Sequence, residues 1–150
     1  PVAGELRTIV SAIRVVFELA RMGDLAAHVA KIARLRFPDS AVPDSLRENF
    51  SRMSEVCVAM IQLANQSLKD RDAVAALRMA EIDHEMDHLR RDHFGVLLGK
   101  NWSGSVEQAI DVALLGRYFE RFADHAVAVA RRVIYIITGQ FPEGEEWPNA

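Results

Sequence analysis

The chain has 150 residues, half of them apolar and 26% charged, which fits one globular domain able to bury a sizeable core. Its formal net charge of -3 excludes nucleic-acid binding through a general basic field. The single cysteine, Cys57, excludes an internal disulfide and fits a reducing compartment, and charges interrupt each apolar run before it could span a bilayer. No basic stretch followed by an apolar core opens the chain, so no signal peptide is expected; Pro1 in place of a methionine reads as a fragment or a processed chain.

Apolar periodicity predicts four helices and no strands, an all-α fold. The first runs from about Glu5 to Phe37, where Pro38 and Pro43 stop it because proline lacks the amide that a helix needs. The second runs from about Ser45 to Lys69, with Asp44 as its N-cap. Its residues Leu46, Phe50, Met53, Cys57, Met60, Ala64 and Ser67/Leu68 alternate in steps of four and three, forming one inward stripe. Asp72 caps a third helix reaching about Leu98, with Val74, Leu77, Met86, Leu89 and Val96 as its expected inner face. Ser105 and Gln108 have the spacing of a capping box and open the fourth helix, which ends near Thr138, with Gly139 placed for the left-handed C′ position. Residues 140–150, with two prolines and three glutamates, are expected to be a loosely held tail.

The chain repeats itself. ARMGDLAAHVAK at 20–31 aligns with ERFADHAVAVAR at 120–131, sharing Arg21/Arg121, Asp24/Asp124, Ala26/Ala126, Val29/Val129 and Ala30/Ala130. Five identities in twelve positions, charged ones included, make coincidence the weaker explanation. Residues 43–139 are then one complete three-helix unit, and residues 1–38 are the last helix of an earlier, truncated unit. Such an orphan helix would expose an apolar face that includes Ile9, Ile13, Val16, Leu19 and Val29. Cover would come from the complete unit, as a fourth helix, or from a second chain in a homodimer.

On the fourth helix, Arg117, Glu120, Arg121, Asp124 and Arg131 fall within about 100° of one another. Two carboxylates one turn apart repel, so arginines or a cation must offset them where the stripe is partly buried. Spacing alone leaves both open.

The string RYFERFADHAVAVARRVIY, residues 117–135, resembles the signature helix of the PhoU family of phosphate-signalling regulators. Residues 5–33 resemble the corresponding helix of that family's first repeat, and Asp83 with Asp87, in EIDHEMDHL, resembles its spaced aspartates. The resemblance implies a PhoU-like bundle of three-helix repeats. It also implies a cytoplasmic negative regulator of phosphate uptake and phosphate-starvation signalling, linking the phosphate ABC transporter to a sensor histidine kinase without catalysis or membrane insertion. Some members carry divalent, iron or zinc ions on Glu/Asp-x-x-x-Asp motifs. On that pattern Glu120 and Asp124 are the leading candidate ligands here, followed by Asp83 and Asp87. The first repeat departs from it: Asp24 is kept, but Ala20 stands four residues before, and Glu18 lies on another face. Asp24 is therefore a weaker candidate, with His28 either a substitute ligand or hydrogen-bonded to it. Arg21, Arg117, Arg121, His28 and His125 complete an expected ion-pair or partner surface.

Residues 84–88, His-Glu-Met-Asp-His, match the spacing of a zinc hydrolase with Glu85 as base. The match is discounted. Asp87 puts a charge where such enzymes carry uncharged residues, residues 89–95 lack the glycine and third histidine at the spacing of the extended motif, and no strand could hold a peptide. A metal-free structural bundle is the remaining alternative.

Overall fold

The structure, a computed structural model, describes residues 2–142. Four α-helices make it up: α1 Val2–Arg36, α2 Arg47–Asp70, α3 Ala73–Leu97 and α4 Val106–Thr138. No strand occurs among the described residues. Most of the expected tail, 143–150, lies outside the described residues; at its start Phe141 is held, edge-on to Tyr135 at 5.9 Å and under Arg132 at 4.6 Å.

Local chemistry sets most of the ends. Asp72 accepts hydrogen bonds from the amides of Val74 and Ala75, which a helix start would otherwise leave without partners. Ser105 and Gln108 form the complete capping box, and Gly139 closes α4 at φ 79°. Two details differ from the sequence reading. Asp44 does not cap α2: it begins a 3-10 turn, Asp44–Leu46, and its carboxylate pairs with Arg47 instead. The end of α2 is made by a non-glycine residue, Arg71, at φ 50°.

Helices α2, α3 and α4 form an up-down-up bundle. The stripe of α2 is buried as expected, from Leu46 through Met53 and Met60 to Ser67, with Val56 and Leu63 widening it. Antiparallel α3 is tied to α2 by Arg52–Glu85 and by the Asn49 side-chain amide, which donates to the Leu89 carbonyl at 3.0 Å. The inner face of α3 is the expected one in part: Met86 is buried and Leu77 and Leu89 pack against the core. Val74 (67% exposed) and Val96 (38%) point outward, while Ala75, Ala76, Met79, Met86 and His93 are buried. Met79, Met86 and His93 recur every seven residues, the repeat that keeps one seam facing a partner. His93 lies against Gly116 of α4, whose buried face also carries Ala123, Ala126 and Ala130, so bulk on α3 meets small residues on α4.

Helix α1 lies along α4. Ser11, Val15, Met22 and Ile32 are buried, and the partly buried Glu18, Leu25, Val29 and Arg36 fill the same four-three spacing. Val29 thus belongs to the seam, not to the exposed face expected for it. Opposite that seam, Leu6, Ile9, Val10, Ile13, Val16 and Phe17 are exposed, so the first half of α1 carries an apolar face that the described residues leave open.

Candidate functional site

The charged residues of α4 gather with α3 in a band whose register the Met79–Met86–His93 seam dictates. At its centre Glu120 is 9% exposed. Its carboxylate accepts from Arg90 of α3 at 2.8 Å and from Arg117, one turn earlier on α4. Two guanidiniums offset the desolvation of that carboxylate, which unpaired burial would penalise heavily. Nothing in the spacing of α4 pointed to Arg90; α3 supplies it across the seam, and it also lies over the Phe94 ring at 5.7 Å.

Further along the seam, Asp83 of α3 feels the charges of Asp87 on its own helix and of Asp124 on α4. Burial pushes the Asp83 carboxyl up to about 6; the charges of Asp87 and Asp124 add to this, and His84 and Arg131 oppose it. Asp124 is raised as well, by desolvation and then by Glu120, against Arg117, Arg121 and His125. The fold therefore brings together four of the candidate acids, Glu120, Asp124, Asp83 and Asp87, in one band. It does not bring Asp24 there: on α1 that residue makes only a wide, exposed pair with Arg21 at 3.7 Å. His28 donates to the backbone carbonyl of Asp24, one turn back, at 2.8 Å rather than to its carboxylate. His125 faces α1 and pairs at 2.6 Å with Glu18, the acid that helical spacing had set apart from the site. Arg121 stays exposed.

These residues test poorly as a ready-made metal centre. Among the described residues, no three His, Cys, Asp or Glu side chains converge as a metal ion would require. Glu120, the leading candidate ligand, has its oxygens on Arg90 and Arg117. The hydrolase arrangement fares no better. Glu85, its required base, accepts two hydrogen bonds from Arg52 at 2.5 and 3.0 Å, and His88 sits 3.2 Å from Arg91. The buried Cys57 thiol is pushed up to about 12 by desolvation, which makes it a poor nucleophile.

Sequence reasoning missed a second charged cluster. Arg36, at the end of α1, grips Asp111 through Nε at 2.5 Å and Nη2 at 3.1 Å, and reaches Glu107 as well. Asp111 is 4% exposed, inside an otherwise apolar face of α4. A lone acid on an apolar face was the available signal.

Residues 50–133 match the PhoU domain. The chain is 47% identical over 150 residues to the phosphate-specific transport system accessory protein PhoU homolog 1 of Mycobacterium leprae (strain TN), a match covering 100% of this chain and 68% of the relative. PhoU homolog 2 of Mycobacterium tuberculosis (strain ATCC 25618 / H37Rv) is 49% identical over 142 residues, covering 95% of this chain and 67% of that one. The chain thus spans about two thirds of the length of these relatives. The crystal structure of the phosphate transport system regulatory protein PhoU from Streptococcus pneumoniae superposes with a TM-score of 0.81 at 21% identity, over 94% of this chain and 67% of that one. That likeness confirms the all-α bundle.

Proposed function

The chain belongs to the PhoU family, and on that premise we propose that it serves phosphate uptake as a non-catalytic accessory regulator. It docks on components of the phosphate ABC transporter and on a sensor histidine kinase at the cytoplasmic side, and represses uptake and starvation signalling when phosphate is plentiful. The observation that carries the reading is the 47% identity, along the whole chain, to a protein named as an accessory of phosphate-specific transport. Two features support it. No described helix is long and apolar enough to cross a membrane, and the charged groups of the band are engaged with one another, an arrangement suited to a docking surface. Docking would act by favouring one conformation of the partner over another.

In the same reading, residues 43–139 are a complete three-helix repeat and residues 1–38 the last helix of another, paired with α4. The exposed side of α1 then takes a further helix or a second copy, giving a homodimer in the latter case. The test is a phosphate-starvation reporter in cells lacking the gene, alongside binding of the protein to the purified transporter and kinase. Derepression in phosphate-rich medium, together with binding, is expected. A silent reporter with no binding to either partner overturns the proposal.

A divalent, iron or zinc ion on Asp83, Asp87 and Asp124 is the second reading of the band. Burial raises both Asp83 and Asp124, and neighbouring acids add to it (Asp87 and Asp124 on Asp83, Glu120 on Asp124), a cost that a cation would relieve. Such an ion would have to draw the three carboxylates together and would leave Glu120 to its arginines. Elemental analysis of the protein beside Asp83→Asn/Asp124→Asn decides: stoichiometric metal lost in the variant supports this reading, and no metal in the parent removes it.

A further inference from the structure

His93 stands apart from the charged band and from every function considered so far. Its side chain is fully buried at the loop-proximal end of the α3–α4 seam. Nδ1 donates to the Leu89 carbonyl at 3.3 Å, which leaves Nε2 as a bare acceptor, and Nε2 is buried without a hydrogen-bond partner. The ring lies against Gly116 and is flanked by Phe50 at 5.3 Å and Phe94 at 4.7 Å. Among the described residues, the charges that act on it are Arg90 and Asp92, both on its own helix; α2 meets it with Phe50 and α4 with Gly116. A second proton would sit on Nε2 with no acceptor among the described residues, one turn from the positive charge of Arg90.

We propose that His93 makes the α3–α4 seam an acid-sensitive switch, closed around the neutral ring and opened when the ring takes up a proton. Opening at His93 also releases the next rung of the seam, Arg90–Glu120, so the docking band loses its cross-helix link at the same time. Desolvation holds the histidine below its ordinary value of 6.5, with Arg90 adding to the effect; the Leu89 carbonyl and Asp92 oppose it. The unfolded or opened chain therefore binds the proton more readily than the closed one. The seam is at full strength above pH 6.5 and weakens as pH falls below it.

The experiment is amide hydrogen exchange at pH 7.5 and pH 5, corrected for the intrinsic pH dependence of exchange. It compares the parent protein with His93→Gln, and with His125→Gln as a control at the other seam. In the parent and in the control, protection across 86–97 and 112–120 should fall relative to His93→Gln as pH drops from 7.5 to 5, by at most about tenfold for each pH unit below the ordinary histidine value. In His93→Gln it should hold or rise, since Asp83 takes up its proton over the same range. An equal loss in His93→Gln overturns the proposal. If that variant fails to fold, the imidazole resonance of His93 in the parent gives the answer. A ring that protonates while those amides stay protected overturns the switch; a ring that stays neutral until they open supports it.

Discussion

Gly116 and His93 share one volume: a Cβ on Gly116 would lie 2.2 Å from Cε1 and 2.3 Å from Nε2 of the His93 ring. Neither partner can give way. The histidine is fully buried between Phe50 and Phe94, and Gly116 is in the middle of α4. A helix-interior glycine is itself unfavourable by about 1 kcal/mol, so its presence is explained by the room it leaves for the ring. Gly116→Ala should therefore destabilise the protein by about 1–3 kcal/mol despite its better helix propensity. Urea unfolding measures this. A gain in stability would mean that the ring does not occupy that space.

Asp83→Asn should stabilise the protein at neutral pH. The carboxyl titrates near 6 when folded against an ordinary 3.8, so folding takes up a proton between those values and stability falls as pH rises through that window. Above about pH 6 the full penalty applies, on the order of 1–3 kcal/mol after allowing for partial exposure. The difference between parent and variant should shrink toward zero at pH 4. Paired denaturant titrations at pH 7 and pH 4 check both ends.

Asp111→Asn should lower Tm by about 5 °C, because it removes the acid that Arg36 grips at two points while that arginine remains half-enclosed between α1 and α4. Exposed Glu107 cannot replace it. Thermal melts of the variant beside Glu107→Gln, which should change Tm far less, separate the buried contact from the surface one.

Arg90→Met and Glu120→Gln should not be additive. The pair joins α3 to α4 at a half-buried site, so the double-variant cycle should give a coupling of about 1 kcal/mol that survives 0.5 M salt better than a surface pair would. A coupling near zero would show that Arg117 alone holds Glu120.

Ser105→Ala should weaken α4 by about 1 kcal/mol, since it opens a capping box in which both reciprocal hydrogen bonds are made. Asp72→Ala should cost α3 a similar amount. Exchange rates of the first-turn amides in each helix report the loss locally.

The sequence by itself determined the helices, where they stop and the family. Asp72, Ser105 with Gln108, and Gly139 act within three or four residues, and the stripe from Leu46 to Ser67 needs only helical periodicity, so all were legible along the chain. The family was legible because residues 117–135 carry several charged and apolar identities in fixed order. Tertiary structure decided which acids stand together and what each one meets. Arg90 reaches Glu120, Glu18 reaches His125, and Arg36 reaches Asp111 across helix pairs whose registers no local spacing encodes. The inner face of α3 belongs to this second class. Val74 and Val96 have the hydrophobicity to be inside, but the register fixed by His93 on Gly116, with Met79 and Met86 buried on the same seam, turns them outward. Close packing admits one rotation of a helix at a time, and here the fit of large side chains opposite small ones selected it.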